Sequence, residues 1–299
     1  MPVFCRHNRF EANCPICSRE RAAANPLPAS SSSRSRPASS VSRSPSSQRR
    51  STGVRTRKLA RDVEDGYRSA LVPGVKATAD AERLARSLAA AAARLEFPGP
   101  YEAVAAEPDL EEATWLAFLL ALIGPDDADA KATLLKSRPA WSTGELGDFG
   151  ATHAATAASY RAWAQRAGGQ SAAFTGETGW TPVRRFSRLF ERLALPGFGR
   201  AGRFELLATL GAAGLYPLEA GSLHLGGEDA TTQAAKRALV SGDVILLDRR
   251  AVALAEAARI PLAALDHGLQ DWNARGSRSP DPGDDEPGAL ANIRAALGL

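Results

Sequence analysis

The chain has 299 residues, 44% of them hydrophobic, which is enough apolar material for a sizeable core and permits one large domain or two small ones. Its most apolar run, Trp115 to Ile123, falls far short of the roughly 20 residues that a membrane span needs. No secretory or transit pattern follows Met1, so the expectation is a soluble cytoplasmic protein.

The charge is unevenly placed. Residues 1–58 hold 12 of the 37 Lys and Arg but only 2 of the 33 Asp and Glu, a net of +10, while residues 59–299 hold 25 and 31, a net of −6. All three cysteines lie in the first seventeen residues, as Cys5-Arg-His7 and Cys14-Pro-Ile-Cys17. Three thiolates and one imidazole on two short knuckles suit tetrahedral Zn²⁺, and in a segment too short for a core the ligand bonds would supply the folding energy. The alternatives are an iron–sulfur cluster, a redox Cys-x-x-Cys and unrelated thiols; the redox motif normally opens a helix in a βαβ setting that is missing here. An odd thiol count without a disulfide framework also points to a reducing compartment. Residues 1–21 are therefore expected to form a zinc knuckle with Cys5, His7, Cys14 and Cys17 as structural ligands, and to offer a contact for a protein partner.

Residues 22–57 are Ser, Arg, Pro and Ala with almost no large apolar side chain, so burial cannot offset chain entropy and a disordered linker is expected. Its arginines fit either a solvated tether or an electrostatic arm for a polyanion, each phosphate contact releasing a counterion.

From residue 58 to 299, Ala, Leu, Arg and Glu dominate, and Gly and Pro clusters punctuate the chain. The pattern predicts an all-α domain of short helices: Asp80–Leu95, Leu110–Ile123, Thr152–Ala167, Pro182–Leu193, Arg200–Ala212, Thr231–Val240, Val244–Arg259, Leu262–Ala274 and Gly288–Leu297. In the fourth of these, Val183, Phe186, Leu189, Phe190 and Leu193 recur at helical spacing while Arg184, Arg185, Arg188 and Arg192 collect opposite them. That helix ends at Leu195-Pro-Gly-Phe-Gly199, and Arg200 opens the next. A Gly-x-Gly turn between two helices presents backbone N–H groups at the positive end of the second, an arrangement that suits a phosphate. Read structurally, the same glycines are a C-cap and turn.

Leu195-Pro-Gly-Phe-Gly-Arg200 resembles the hairpin of the helix-hairpin-helix DNA glycosylase fold, an all-α fold in which the hairpin binds the DNA backbone and a carboxylate follows some twenty to thirty residues later. This chain has Arg203 where members of that fold often have Ala, and Ala201 where lyase members place a catalytic Lys, which excludes an amine nucleophile there. The C-terminal four-cysteine iron–sulfur loop of some members is missing as well. The wider arrangement is similar to the alpha-glutamyl/putrescinyl thymine pyrophosphorylase clade 3 family. Carrying that resemblance are the cysteine cluster, Trp115 to Pro125, the hairpin, Ala235-Lys-Arg237 with Gly242-Asp243, and Leu265-Asp266 before Trp272. It implies a helix-hairpin-helix glycosylase-like domain that displaces pyrophosphate from the 5-methylene carbon of a modified thymine in DNA, using an amine.

On that reading Gly197, Phe198, Gly199 and Arg200 hold the DNA backbone, and Arg203 with Arg184 or Arg188 neutralises phosphate. Two carboxylates are catalytic candidates. Glu219 sits at the glycosylase distance from the hairpin, whereas Asp229 opens a helix that ends in Lys236-Arg237 and doubles as an N-cap. His224 is a possible proton carrier or a structural histidine. A monofunctional glycosylase of base excision repair and a non-enzymatic DNA-binding adaptor remain the alternatives, the adaptor favoured by the acidic body. In each case the partner is DNA and the expected location is the nucleoid.

Overall fold

The computed structural model describes residues 64–124, 127–275 and 287–299, all in the unit Arg57–Leu299. The expected zinc knuckle and linker lie outside the described residues. Twelve α-helices and no strand are found among the described residues. They are α1 (Thr78–Arg94), α2 (Glu102–Ala105), α3 (Leu110–Ile123), α4 (Ala128–Ser137), α5 (Gly150–Arg166), α6 (Gln170–Thr175), α7 (Pro182–Arg192), α8 (Arg200–Ala212), α9 (Ala230–Leu239), α10 (Val244–Ala258), α11 (Leu262–Arg275) and α12 (Pro287–Leu297). The domain is all-α, as the composition predicts. No described helix is long and apolar enough to cross a membrane.

Local chemistry sets where these helices begin. Asp109, Asp127, Thr181, Asp229 and Asp243 each occupy the N-cap of their helix and accept a hydrogen bond from a first-turn amide. The helix α6 has no such side chain at Gly169; its first two amides, of Gln170 and Ser171, donate instead to the carboxylate of Glu111 on α3, at 3.0 and 2.7 Å.

Packing falls into two groups around one core. In the first, α1 lies against α11 and α12, and α11 against α9. The alanine-rich face of α1, with Ala81, Ala85 and Ala89 fully buried, lets backbones approach. A Cβ on Gly268 of α11 would stand only 2.7 Å from Leu88 Cδ2 and 2.9 Å from Leu88 Cα. In the second group, α3 packs against α8 and α6. This helix is apolar almost all round, and its Trp115 and Phe118 stack with Tyr160 of α5, the Phe118 and Tyr160 rings 3.8 Å apart.

The buried carboxylate of Asp80 staples the first group. Its Oδ1 accepts from Trp272 Nε1 at 2.9 Å and from Arg83 at 2.6 Å, and its Oδ2 accepts from Arg237 at 2.7 Å. The Arg237 guanidinium also lies 4.0 Å above the Trp272 ring. One carboxylate therefore fixes α1, α9 and α11 together. Truncation by Asp80→Ala should lower unfolding free energy by about 3 kcal/mol in a denaturant titration, because two guanidinium groups and an indole N–H lose their acceptor; a loss under about 1 kcal/mol would contradict this role.

Candidate nucleic-acid interface

The turn between α7 and α8 is built from both sides. Gly197 has φ +76°, and a Cβ there would collide with Thr156 Oγ1 of α5. The side chain between the two glycines points inward: Phe198 is buried and meets Phe118 edge-on at 5.2 Å. Gly202 makes room for it, since a Cβ at that position would lie 2.6 Å from the Phe198 ring. Phe198 is thus the anchor of the turn, and Gly197 and Gly199 are exposed.

Of the turn's amides, that of Phe198 donates to the Leu195 carbonyl at 3.0 Å. Gly199 is the N-cap of α8 and has no side chain to cap it. The amides of Gly197, Gly199, Arg200, Ala201 and Gly202 have no acceptor among the described residues, and the next bond is Arg203 N–H to the Gly199 carbonyl. An uncapped, exposed helix N-terminus preceded by a glycine is open to an anion.

Arg200, expected on the DNA backbone, turns the other way. Its side chain is 4% exposed; Nη1 donates to the Leu223 carbonyl at 2.8 Å and Nη2 to Asp266 Oδ1 at 2.7 Å, while Nε pairs with Asp229 Oδ1 at 3.0 Å. The aliphatic stem must pass into the interior for the guanidinium to meet two carboxylates, so none of its charge faces a strand on the surface. Arg203 also folds back: Nη1 donates to the Phe190 carbonyl at 3.0 Å and the guanidinium covers the Phe190 ring at 4.2 Å. Arg184 and Arg188 are exposed, Arg188 paired with Glu191 at 3.1 Å. Arg184 lies on the first turn of α7, about 12 Å before that helix ends, so the two arginines spread along α7 and do not converge on the turn.

The two carboxylate candidates separate. Asp229 joins the Arg200 cluster and caps α9, with Oδ1 accepting from Thr232 N–H at 3.1 Å and Oδ2 from the Thr232 hydroxyl at 2.7 Å. Burial pushes this carboxyl up, but the Arg200 charge and the Thr232 hydrogen bonds outweigh burial and hold it below the usual carboxylate range. Glu219 is exposed and its backbone N–H reaches the Pro182 carbonyl, which places it at the far end of α7 from the turn. His224 stacks on Phe190 at 4.1 Å; burial and the neighbouring Arg200 charge depress it to about 4, so it is a neutral ring near pH 7.

The sequence reading passes over two further groups. Asp266 is Arg200's second carboxylate, and burial pushes it up despite that charge. On the next turn of α8, Glu205 pairs with His267 of α11 at 2.6 Å. Burial opposes both charges, but each partner's charge lifts His267 above and holds Glu205 below its ordinary value. Sequence offers one signal for these pairs, the adjacency of Asp266 and His267, polar residues on a helix otherwise facing the core. Among the described residues no group of three or more His, Cys, Asp or Glu could hold a metal ion, and Cys5, His7, Cys14 and Cys17 lie outside the described residues.

Residues 147–272 match the family model for alpha-glutamyl/putrescinyl thymine pyrophosphorylase clade 3. That segment is similar to this family, as its motifs implied. It runs from the turn before α5 to Trp272 and contains the hairpin, Arg200, Asp229 and Asp266, while α1, α3 and the cysteine cluster lie outside the pyrophosphorylase match. No curated protein and no solved structure matches the chain.

Arg200→Ala leaves Asp266 and Asp229 without their cation and should cost about 3 to 5 kcal/mol in urea unfolding. Arg184→Ala, on the exposed face of the same helical hairpin, should cost less than about 0.5 kcal/mol. Equal losses would contradict the inward role of Arg200.

Proposed function

We propose that the chain is an enzyme acting on a modified thymine in DNA, with the Gly197–Gly199 turn seated on the DNA backbone in the manner of a helix-hairpin-helix glycosylase. The observation that carries this reading is the run of amides without acceptors that starts at the exposed Gly199 and continues into the first turn of α8, inside the segment that matches the pyrophosphorylase family. The family's name supplies the reaction. An amine nitrogen bonds to the 5-methylene carbon, the carbon–oxygen bond to pyrophosphate breaks, pyrophosphate leaves, and the amine gives up a proton.

In this scheme the backbone amides position the strand and the exposed Arg184 and Arg188 are the cations available to the departing phosphates. An ionised carboxylate with a depressed pKa is a poor proton acceptor and a good fixed negative charge. The role we assign Asp229 is therefore to steady positive charge, on the methylene carbon as pyrophosphate departs or on the sugar if the reaction is base excision. Glu219 is the second candidate. The Cys5, His7, Cys14 and Cys17 donor set would hold Zn²⁺ as a structural ion.

One observation favours the adaptor reading. The arginines nearest the turn are committed to internal partners and residues 59–299 carry a net −6, so the N-terminal arm would supply most of the salt-sensitive affinity.

Incubating the full chain with duplex DNA bearing 5-pyrophosphoryloxymethyl uracil and a primary amine should release pyrophosphate. Asp229→Asn should slow release by about 100-fold, the scale of losing one oriented charge in a catalytic site, whereas Glu219→Gln should stay near wild type. Deleting residues 1–58 should weaken DNA binding but leave turnover at low salt. Failure to release either pyrophosphate or a free base, with DNA affinity vanishing on that deletion, would favour the adaptor.

A further inference from the structure

Helix α10 carries two seams. Leu247, Ala251, Leu254 and Ala258 follow one another at alternating steps of four and three residues and are buried where α10 packs on α9, α11 and α12. On the opposite side Ile245, Arg249, Val252 and Glu256 repeat that alternation, which is the spacing by which one helix lies along another. Ile245 is 66% exposed, Arg249 and Glu256 are exposed, and Val252 is half-buried. Leu246 and Val240, the latter 56% exposed, extend the apolar surface at the corner between α9 and α10. Exposed apolar side chains scattered singly are ordinary, whereas a group of them gathered on one seam marks a contact surface.

The charges on the outer seam decide what fits it. Neither the Arg249 guanidinium nor the Glu256 carboxylate has a hydrogen-bonding or ionic partner among the described residues. One charge of each sign, with Asp243 at the start of the helix, offers a polyanion no net attraction. The same two charges do complement each other when the seam meets itself reversed.

We propose that the outer seam of α10 docks a second copy of this chain, the two α10 helices running antiparallel across a two-fold axis. An axis midway between Arg249 and Glu256 sets each arginine opposite the other copy's glutamate, and it passes between Val252 and Ala253, whose small side chains let the helices approach. Ile245 of each copy then falls at the end of the other's α10, where Arg259 and Pro261 are exposed. A parallel pair would instead put like charges together. None of these residues belongs to the glycine turn or to the Arg200 cluster, so the docking is independent of the DNA reading.

Sedimentation equilibrium of the full chain without DNA, at loadings from about 1 to about 100 µM, the range suited to a transient interface, should show a monomer–dimer equilibrium. Ile245→Asp should weaken the dimer at least about 30-fold, the scale of one interface hot spot. Arg249→Glu and Glu256→Arg, each setting like charges opposite one another twice over, should each weaken it roughly tenfold or more. The double variant Arg249→Glu with Glu256→Arg restores the opposite pairing and should return the affinity to within about threefold of wild type. A monomer at every loading overturns the proposal, and a fall in melting temperature on Ile245→Asp would then show that the chain covers this face itself. A dimer that persists in all the single variants, or that the double variant fails to restore, also overturns it.

Discussion

The buried guanidinium of Arg200 is the constraint on which the turn depends. It sits on the first residue of α8, immediately after Gly199, and draws together the Leu223 carbonyl, the cap of α9 at Asp229 and the middle of α11 at Asp266. A charge that is 4% exposed is tolerable only with opposite charge beside it, so the start of α8 cannot rotate without stranding a cation and two carboxylates. Glu205 and His267 repeat the arrangement farther along the same two helices. The helices that pack most extensively belong either to the group of α1, α9, α10, α11 and α12 or to that of α3, α6 and α8, and these two polar contacts tie α8 of one to α11 of the other.

The outward face of the turn follows from this inward one. With Arg200 committed to Asp229 and Asp266, and Phe198 to Phe118, what the turn leaves exposed is Pro196 and the backbone of Gly197 and Gly199. Such a surface recognises phosphate by amide geometry and helix dipole rather than by net charge. It is compatible with a body of net −6 and with a +10 segment in residues 1–58 that supplies long-range attraction.

Much of the fold is legible in the sequence because apolar spacing and N-cap residues mark it. All nine expected helices are present with ends within two residues, including Leu110–Ile123 and Arg200–Ala212 exactly as read. Of those missed, α2 and α6 have only four and six residues and α4 buries Leu134 alone, and α6 takes its cap from Glu111, some sixty residues away, so no local signal marks its start. The glycine turn is legible for the same reason that Asp229 is: both are helix-start chemistry. The direction of Arg200 is not, since an arginine at the first position of a helix reads as a surface cation until its two acid partners are placed, and both come from elements distant in sequence. Glu219 and Asp229 fit the glycosylase spacing almost equally well, and only the packing of α9 against α11 brings Asp229 to Arg200.

The central claim is that the main-chain amides from Gly197 to Gly202 are the contact with a nucleic-acid backbone. Hydrogen exchange resolved by residue, on the full chain with and without a short duplex, reads those amides directly. The amides of Gly199, Arg200 and Ala201 should exchange readily in the free protein and become protected when duplex is bound, with Phe198, already bonded to Leu195, unchanged. Protection that appears elsewhere on the chain while these amides exchange as before would contradict the account.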